Sequence, residues 1–197
     1  DVYKRQEQIQ QQRRSSDWLT LSAPQRAARM IYLVKCAINA KLRSTFPASS
    51  TTRISFNPDI DLRPYAEFLQ RVTFECLPWG ALLDRYVLKP KRLSALVYLD
   101  PPYVVASQSG HYGLCFDSLE HLLLSRKLAR INAKNGGTRS VKLMVSYDDD
   151  PKGFIRSLYR PEFGWHVRTL PIQYRSGNHA KATNELLITN FSTGVTQ

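Results

Sequence analysis

What this 197-residue chain lacks narrows it first. No apolar stretch approaches the roughly 20 residues needed to cross a bilayer, and no basic start, apolar centre and small-residue cleavage site marks a secretory signal. A soluble cytoplasmic protein with no membrane partner is therefore expected. Cysteine is scarce: Cys36, Cys76 and Cys115 are odd in number and far apart, with no Cys-x-x-Cys pair for a zinc or redox site. They read as small buried hydrophobes in a reducing compartment. Acid is in deficit, 16 Asp and Glu against 28 Lys and Arg, and the net charge of +12 favours a polyanionic partner, although a generic basic surface gives the same excess. There is no internal repeat and no initiating Met. Hydrophobic residues at 43% and charged residues at 22% are near the globular average, which excludes wholesale disorder, and the length fits one domain with a single core.

The pattern along the chain is an alternation of helices and short apolar runs. From 7 to 16 the sequence is rich in Gln and Arg, with Ile9 its one aliphatic residue, and reads as a solvated helix or linker. Over 23–42, Ala27, Met30, Ile31, Val34, Ala37, Ile38 and Leu42 recur at spacings of three and four behind a Ser22/Pro24 start signal, predicting an amphipathic helix. Lys41 and Arg43 are basic residues near its C-terminus, where cations are favoured. Tyr65, Phe68 and Leu69 predict a helix before a strand over 72–76. Trp79, Leu82, Leu83 and Tyr86 predict another before the apolar run 95–99.

A run so short and unbroken between helices is the mark of a strand in a parallel sheet covered on both faces. Asp117 and Glu120 resemble a capping box opening a helix whose buried stripe is Leu119, Leu122, Leu123 and Ile131, ending at Asn135-Gly136-Gly137. A strand over 141–147 follows, then a short helix at Phe154, Ile155, Leu158 and Tyr159. Two extended segments, 165–174 and 185–191, are joined by a polar turn at Ser176-Gly177-Asn178 and should pair antiparallel. The class is α/β.

The residues that carry chemistry are Asp100-Pro101-Pro102-Tyr103, immediately after the apolar run. With proline near 5% of average composition, such a match arises by chance in about a few of every thousand chains this long. Ligands of parallel α/β sheets bind beyond the carboxyl ends of the strands, where Asp100 stands. An exocyclic amino group on a nucleobase is a poor nucleophile because its lone pair is delocalised into the ring. The Asp100 carboxylate can accept one amino hydrogen and the Pro101 carbonyl the other, favouring a pyramidal nitrogen whose lone pair points at a methyl donor. Prolines fix φ, and Pro101 biases Asp100 away from the helical region. Tyr103 offers a face on which the base stacks. The plain alternative is a rigid turn that ends a strand, with Tyr103 packed on the core.

These features resemble the Dam-like family of DNA adenine-N6 methyltransferases of bacteria and phages. The likeness is strongest in Leu96-Val97-Tyr98-Leu99-Asp100-Pro101-Pro102-Tyr103. Phe116 with Glu120-His121 supports it, as do Lys142-Leu143-Met144-Val145-Ser146-Tyr147-Asp148-Asp149 and Asn184-Glu185-Leu186-Leu187-Ile188-Thr189-Asn190-Phe191. The resemblance implies a class I, Rossmann-like, S-adenosylmethionine-dependent sheet that ends in an antiparallel hairpin and carries a helical insert. It also implies S-adenosylmethionine as cofactor, with Asp100 beside it, and duplex DNA as partner, its target adenine flipped out. Asp100, Pro101, Pro102 and Tyr103 are the implied catalytic residues, and Tyr103, Lys41, Arg43 and Arg175 the implied DNA contacts. No metal is implied, and a monomer is expected. The stretches 27–34 and 36–43 are similar to the family's helical target-recognition region, with Ile38-Asn39-Ala40 where Phe-Asn-Gly is usual.

Residues 1–6 match the translation of a transposon-end sequencing adapter and are set aside as an artefact. With them removed, 7–60 is read as a remnant of the target-recognition region and 61–197 as the C-terminal part of the catalytic domain. The family's lysine-bearing Gly-rich opening and its Phe-x-Gly-x-Gly loop do not occur in this sequence, so a first βαβ unit is expected to be missing and cofactor binding by this chain alone to be poor. Pro78 stands where relatives often carry an acid touching the cofactor. The resemblance implies neither a particular recognition sequence nor a partner restriction endonuclease. Rival readings are an RNA base-amino methyltransferase and a non-catalytic basic nucleic-acid-binding module. His121 is read as lying on a solvated face without a role, Asp148-Asp149-Asp150 as a turn and helix cap, and His179 and Lys181 with Arg175 as basic residues of the hairpin.

Overall fold

In the computed structural model, which describes Gln11 and residues 17–36, 61–104, 116–176 and 179–194, the chain divides into two units, Asp1–Phe74 and Glu75–Gln197. The first holds helix α1 (Ala23–Cys36) and helix α2 (Arg63–Leu69). Ser22 and Gln25 cap α1 reciprocally: the Ser22 N–H donates to Gln25 Oε1 at 2.9 Å and the Gln25 N–H to Ser22 Oγ at 3.5 Å. Arg29 pairs with Asp17 at 2.5 Å and lies 4.6 Å from the Trp18 ring centroid. The helix predicted over 23–42 is present as far as Cys36, and residues 37–60, Lys41 and Arg43 among them, lie outside the described residues. Helix α2 forms where expected, but Tyr65, Phe68 and Leu69 are exposed rather than packed. The strand predicted over 72–76 does not form. These residues carry no regular structure and take part in no ladder, and a β-rich sequence without a partner strand cannot satisfy its backbone as a strand.

The second unit is built on a sheet of four strands, β1 (Leu93–Leu99), β2 (Arg139–Asp148), β3 (His166–Ser176) and β4 (His179–Thr189), in the order β1-β2-β4-β3. β1 and β2 run parallel; β4 is antiparallel to β2 and to β3. The mixed α/β class and the terminal hairpin are as the sequence indicated. Pro171 fits because β3 is an edge strand, where a missing N–H costs no ladder bond.

One face of the sheet carries the core. Val141, Leu143, Val145 and Tyr147 of β2 and Leu186 and Ile188 of β4 are buried with Leu124, Leu128 and Ile131 of helix α4 (Ser118–Ala133). Helix α3 (Trp79–Leu83) runs into a π turn, Asp84–Leu88, that adds Val87 and Leu88. Arg139 fastens that turn to β2: buried itself, it donates to the Pro90 carbonyl at 2.7 Å and to the carbonyl of Val87. The other face is open at β1, where Leu96 and Tyr98 are 61% and 59% exposed, so the run read as covered on both faces is covered on one among the described residues.

The buried stripe of α4 is also turned from the one expected. His121, Leu124, Ser125, Leu128 and Ile131 face the sheet, while Leu119 and Leu123 are exposed. Apolar count alone misled here, because two polar residues that find partners take core positions. Cys76 is exposed, not a buried hydrophobe as the sequence suggested, since the segment around it never becomes a strand with a covered face.

Candidate active site

The parallel pairing of β1 with β2 brings their carboxyl ends side by side. Their register ends at Leu99 opposite Val145, so the next residues along, Asp100 and Ser146, are neighbours. On the open face of the sheet the alternation of side chains then aligns Tyr98, Asp100, Ser146 and Asp148, and β4 adds Glu185 opposite Asp148.

These side chains grip the tetrapeptide at separate points. Ser146 Oγ donates to Asp100 Oδ1 at 2.9 Å. The Tyr103 hydroxyl donates to Glu185 Oε1 at 3.2 Å. The N–H of Val104, the residue after the motif, donates to Asp148 Oδ1 at 3.2 Å. Asp100 itself is exposed, Pro101, Pro102 and Tyr103 are half-buried, and the Tyr103 ring packs against the edge of the core. Sequence reasoning found the motif and missed all its holders. Ser146, Asp148 and Glu185 stood within segments noted for resemblance, and the signal that could have found them was the period-two spacing of Ser146 and Asp148 on one strand face.

Beyond the strand ends, Asp150 caps helix α5 (Phe154–Leu158), accepting the N–H groups of Phe154 and Ile155 at 2.9 Å each. Asp149 is bonded to Arg156 at 2.8 and 2.9 Å, which holds its carboxyl below the usual range. Asp149 and Asp150 thus form the turn and helix cap expected of the acidic triplet, while Asp148 ends β2 and holds the Val104 N–H instead. Among the described residues no cluster of His, Cys, Asp and Glu could hold a metal ion, and no helix is long and apolar enough to cross a membrane.

The helix α4 beneath the site begins at Asp117, whose carboxylate accepts the Glu120 N–H at 2.9 Å. Glu120 does not complete the box; its carboxylate accepts the Trp79 indole N–H at 2.9 Å instead. His121, expected on a solvated face, is 1% exposed, with Nδ1 3.0 Å from the Tyr147 hydroxyl and its ring edge-on to Phe116. Burial lowers its pKa, against the raising influence of Asp117, Asp150 and Glu120. Burial likewise pushes the Tyr147 and Tyr159 hydroxyls upward, so both stay protonated. These groups face the core, not the open side with Asp100.

Arg175, expected near the sheet edge, is in β3 opposite Ala180, at the hairpin end of the edge strand. What stands at the carboxyl end of β1 is a carboxylate held by Ser146, two consecutive prolines and a tyrosine ring anchored through its hydroxyl. Among the described residues no left-handed glycine adjoins β1. The left-handed glycines Gly136 and Gly137 precede β2, at the end of the sheet away from Asp100.

A family model described as D12 class N6 adenine-specific DNA methyltransferase matches residues 2–170. No curated protein and no solved structure matches the chain.

Proposed function

Because the chain belongs to the D12 class N6 adenine-specific DNA methyltransferases, a family of enzymes, we propose that its reaction moves a methyl group from S-adenosylmethionine to the exocyclic amino group of an adenine turned out of duplex DNA into the space above Asp100. The observation that carries this reading is the fixed tetrapeptide: Asp100, Tyr103 and the Val104 N–H are each tied to a neighbouring strand. S-adenosylmethionine would supply the methyl group as an electrophilic sulfonium.

The chain's own residues do the rest. Asp100 accepts one amino hydrogen and the Pro101 carbonyl the other, which withdraws the nitrogen lone pair from the ring and aims it at the donor. Tyr103 stacks on the base and offsets part of the few kcal/mol spent in unstacking it. Because the holders of the motif come from β2 and β4, little reorganisation is left for the moment of reaction. Lys41, Arg43 and Arg175 are assigned to DNA phosphates, positioning the duplex without reading its sequence. The strand order β1-β2-β4-β3 supports reading the sheet as the class I methyltransferase arrangement, open at β1.

The test is methyl transfer by the protein expressed from its full open reading frame, offered duplex DNA and ribosomal RNA with donor labelled in the methyl group. Label in DNA, recovered as N6-methyladenine, is expected; label in RNA alone would overturn the reading.

A further inference from the structure

Asp100 has a difficulty as a hydrogen-bond acceptor. It stands on the exposed side of a strand end, and an exposed carboxylate ordinarily samples several rotamers. A base-holding acceptor must keep one. The sheet supplies the means. Ser146 sits one register step beyond the Leu99–Val145 pair and is only 9% exposed, and its hydroxyl donates to Asp100 Oδ1 at 2.9 Å. The Tyr98 hydroxyl lies 2.9 Å from the same Ser146 oxygen. A serine hydroxyl has one hydrogen, and here it is given to the carboxylate. The remaining bond therefore runs from Tyr98 into Ser146, giving the chain Tyr98 OH to Ser146 Oγ to Asp100 Oδ1. Such a chain polarises along its length and strengthens its charged end.

We propose that Ser146 is a positioning residue for methyl transfer: backed by Tyr98, it pins one oxygen of the Asp100 carboxylate and leaves the other aimed at the substrate amino group. This rests on the reaction proposed above. Tyr98 and Ser146 come from different strands, so the relay also makes the parallel pairing of β1 with β2 a condition of catalysis. Ser146 touches Asp100 rather than the base, so its loss should slow chemistry without weakening substrate binding.

The experiment uses the protein from its full open reading frame, with duplex DNA and methyl-labelled S-adenosylmethionine. In Ser146→Ala, kcat is expected to fall on the order of ten- to a hundredfold while KM for DNA and for donor stays within about twofold. Ser146→Thr keeps the hydroxyl on a residue suited to strands and should restore most of kcat. Tyr98→Phe should give a smaller loss of the same kind. An unchanged kcat in Ser146→Ala, a loss carried by KM, or a loss that threonine does not restore would each overturn the proposal. A readout independent of turnover is the side-chain carboxyl 13C resonance of Asp100, assigned by its disappearance in Asp100→Ala. It should move in Ser146→Ala and stay in place in Ser146→Thr. If the unaltered protein transfers no methyl group, the functional reading fails, and an unmoved carboxyl resonance in Ser146→Ala would then overturn this inference separately.

Discussion

At Tyr103 the hydroxyl is the anchor on Glu185, and the proposed reaction gives the ring a second role as the stacking surface. The two roles separate by substitution. Tyr103→Phe keeps the ring and should lose only a few-fold in kcat, whereas Tyr103→Ala removes stacking that is worth about 1–3 kcal/mol per base and should cost on the order of ten- to a hundredfold; steady-state kinetics on one DNA substrate compares the two. His121 invites a different measurement. Its pKa is lowered by burial, so the unfolded chain takes up a proton near the ordinary 6.5 that the folded chain still refuses. Stability is therefore full above about pH 6.5 and falls as pH drops below it. Urea unfolding between pH 7 and pH 5 should show that fall, and His121→Gln should flatten it; an equal slope in both proteins would assign the loss to other groups. At this scale the sequence revealed what is contiguous. Asp100, Pro101, Pro102 and Tyr103 adjoin in the chain and could be read together, whereas the bond from Ser146 spans 46 positions and that from Tyr103 to Glu185 spans 82. Only strand register brings those pairs together.

The elements that aim the site are held from the covered side of the sheet. Leu128 of α4 is fully buried among β2, β4 and the π turn, so Leu128→Ala should cost about 2–5 kcal/mol in the denaturant unfolding free energy, through lost burial and the cavity left behind. A loss under about 1 kcal/mol would mean that α4 does not seat against the sheet as described. Lys127 ties the same helix to α3 and the π turn, reaching the Gly80 carbonyl at 3.0 Å and Asp84 at 2.8 Å, and that bond to Lys127 lowers the Asp84 pKa. Helix and strand existence was legible because period and cap are local: Asp117 before α4, the apolar run of β1, the hairpin of β3 and β4. Facing was less legible. His121 and Ser125 are polar by type yet buried, since the ring of one reaches Tyr147 and the hydroxyl of the other reaches the Leu122 carbonyl, and they displaced Leu119 and Leu123 from the stripe. The segment 72–76 had strand-forming residues and no partner strand among the described residues, something no propensity encodes.

For the molecule as a whole, the excess of 12 positive charges should govern how it meets DNA. Binding through phosphates releases condensed counterions, so raising salt from about 50 to 200 mM should weaken association with duplex DNA on the order of a thousandfold if six or more phosphates are engaged, largely irrespective of sequence. Fluorescence anisotropy over that range measures the slope, and a flat response would remove charge as the source of affinity. The two units have unequal claims on function: the motif, its holders and the buried core all belong to Glu75–Gln197. Methyl acceptance should therefore depend on Asp100 more than on any other single carboxylate. The decisive measurement compares N6-methyladenine formed in duplex DNA by the full-reading-frame protein and by its Asp100→Ala variant, with circular dichroism confirming that both are folded. The expected result is a loss of kcat of about a hundred- to a thousandfold on removing that acceptor. Equal N6-methyladenine from both proteins would contradict the assignment of the tetrapeptide as the methyl-transfer site.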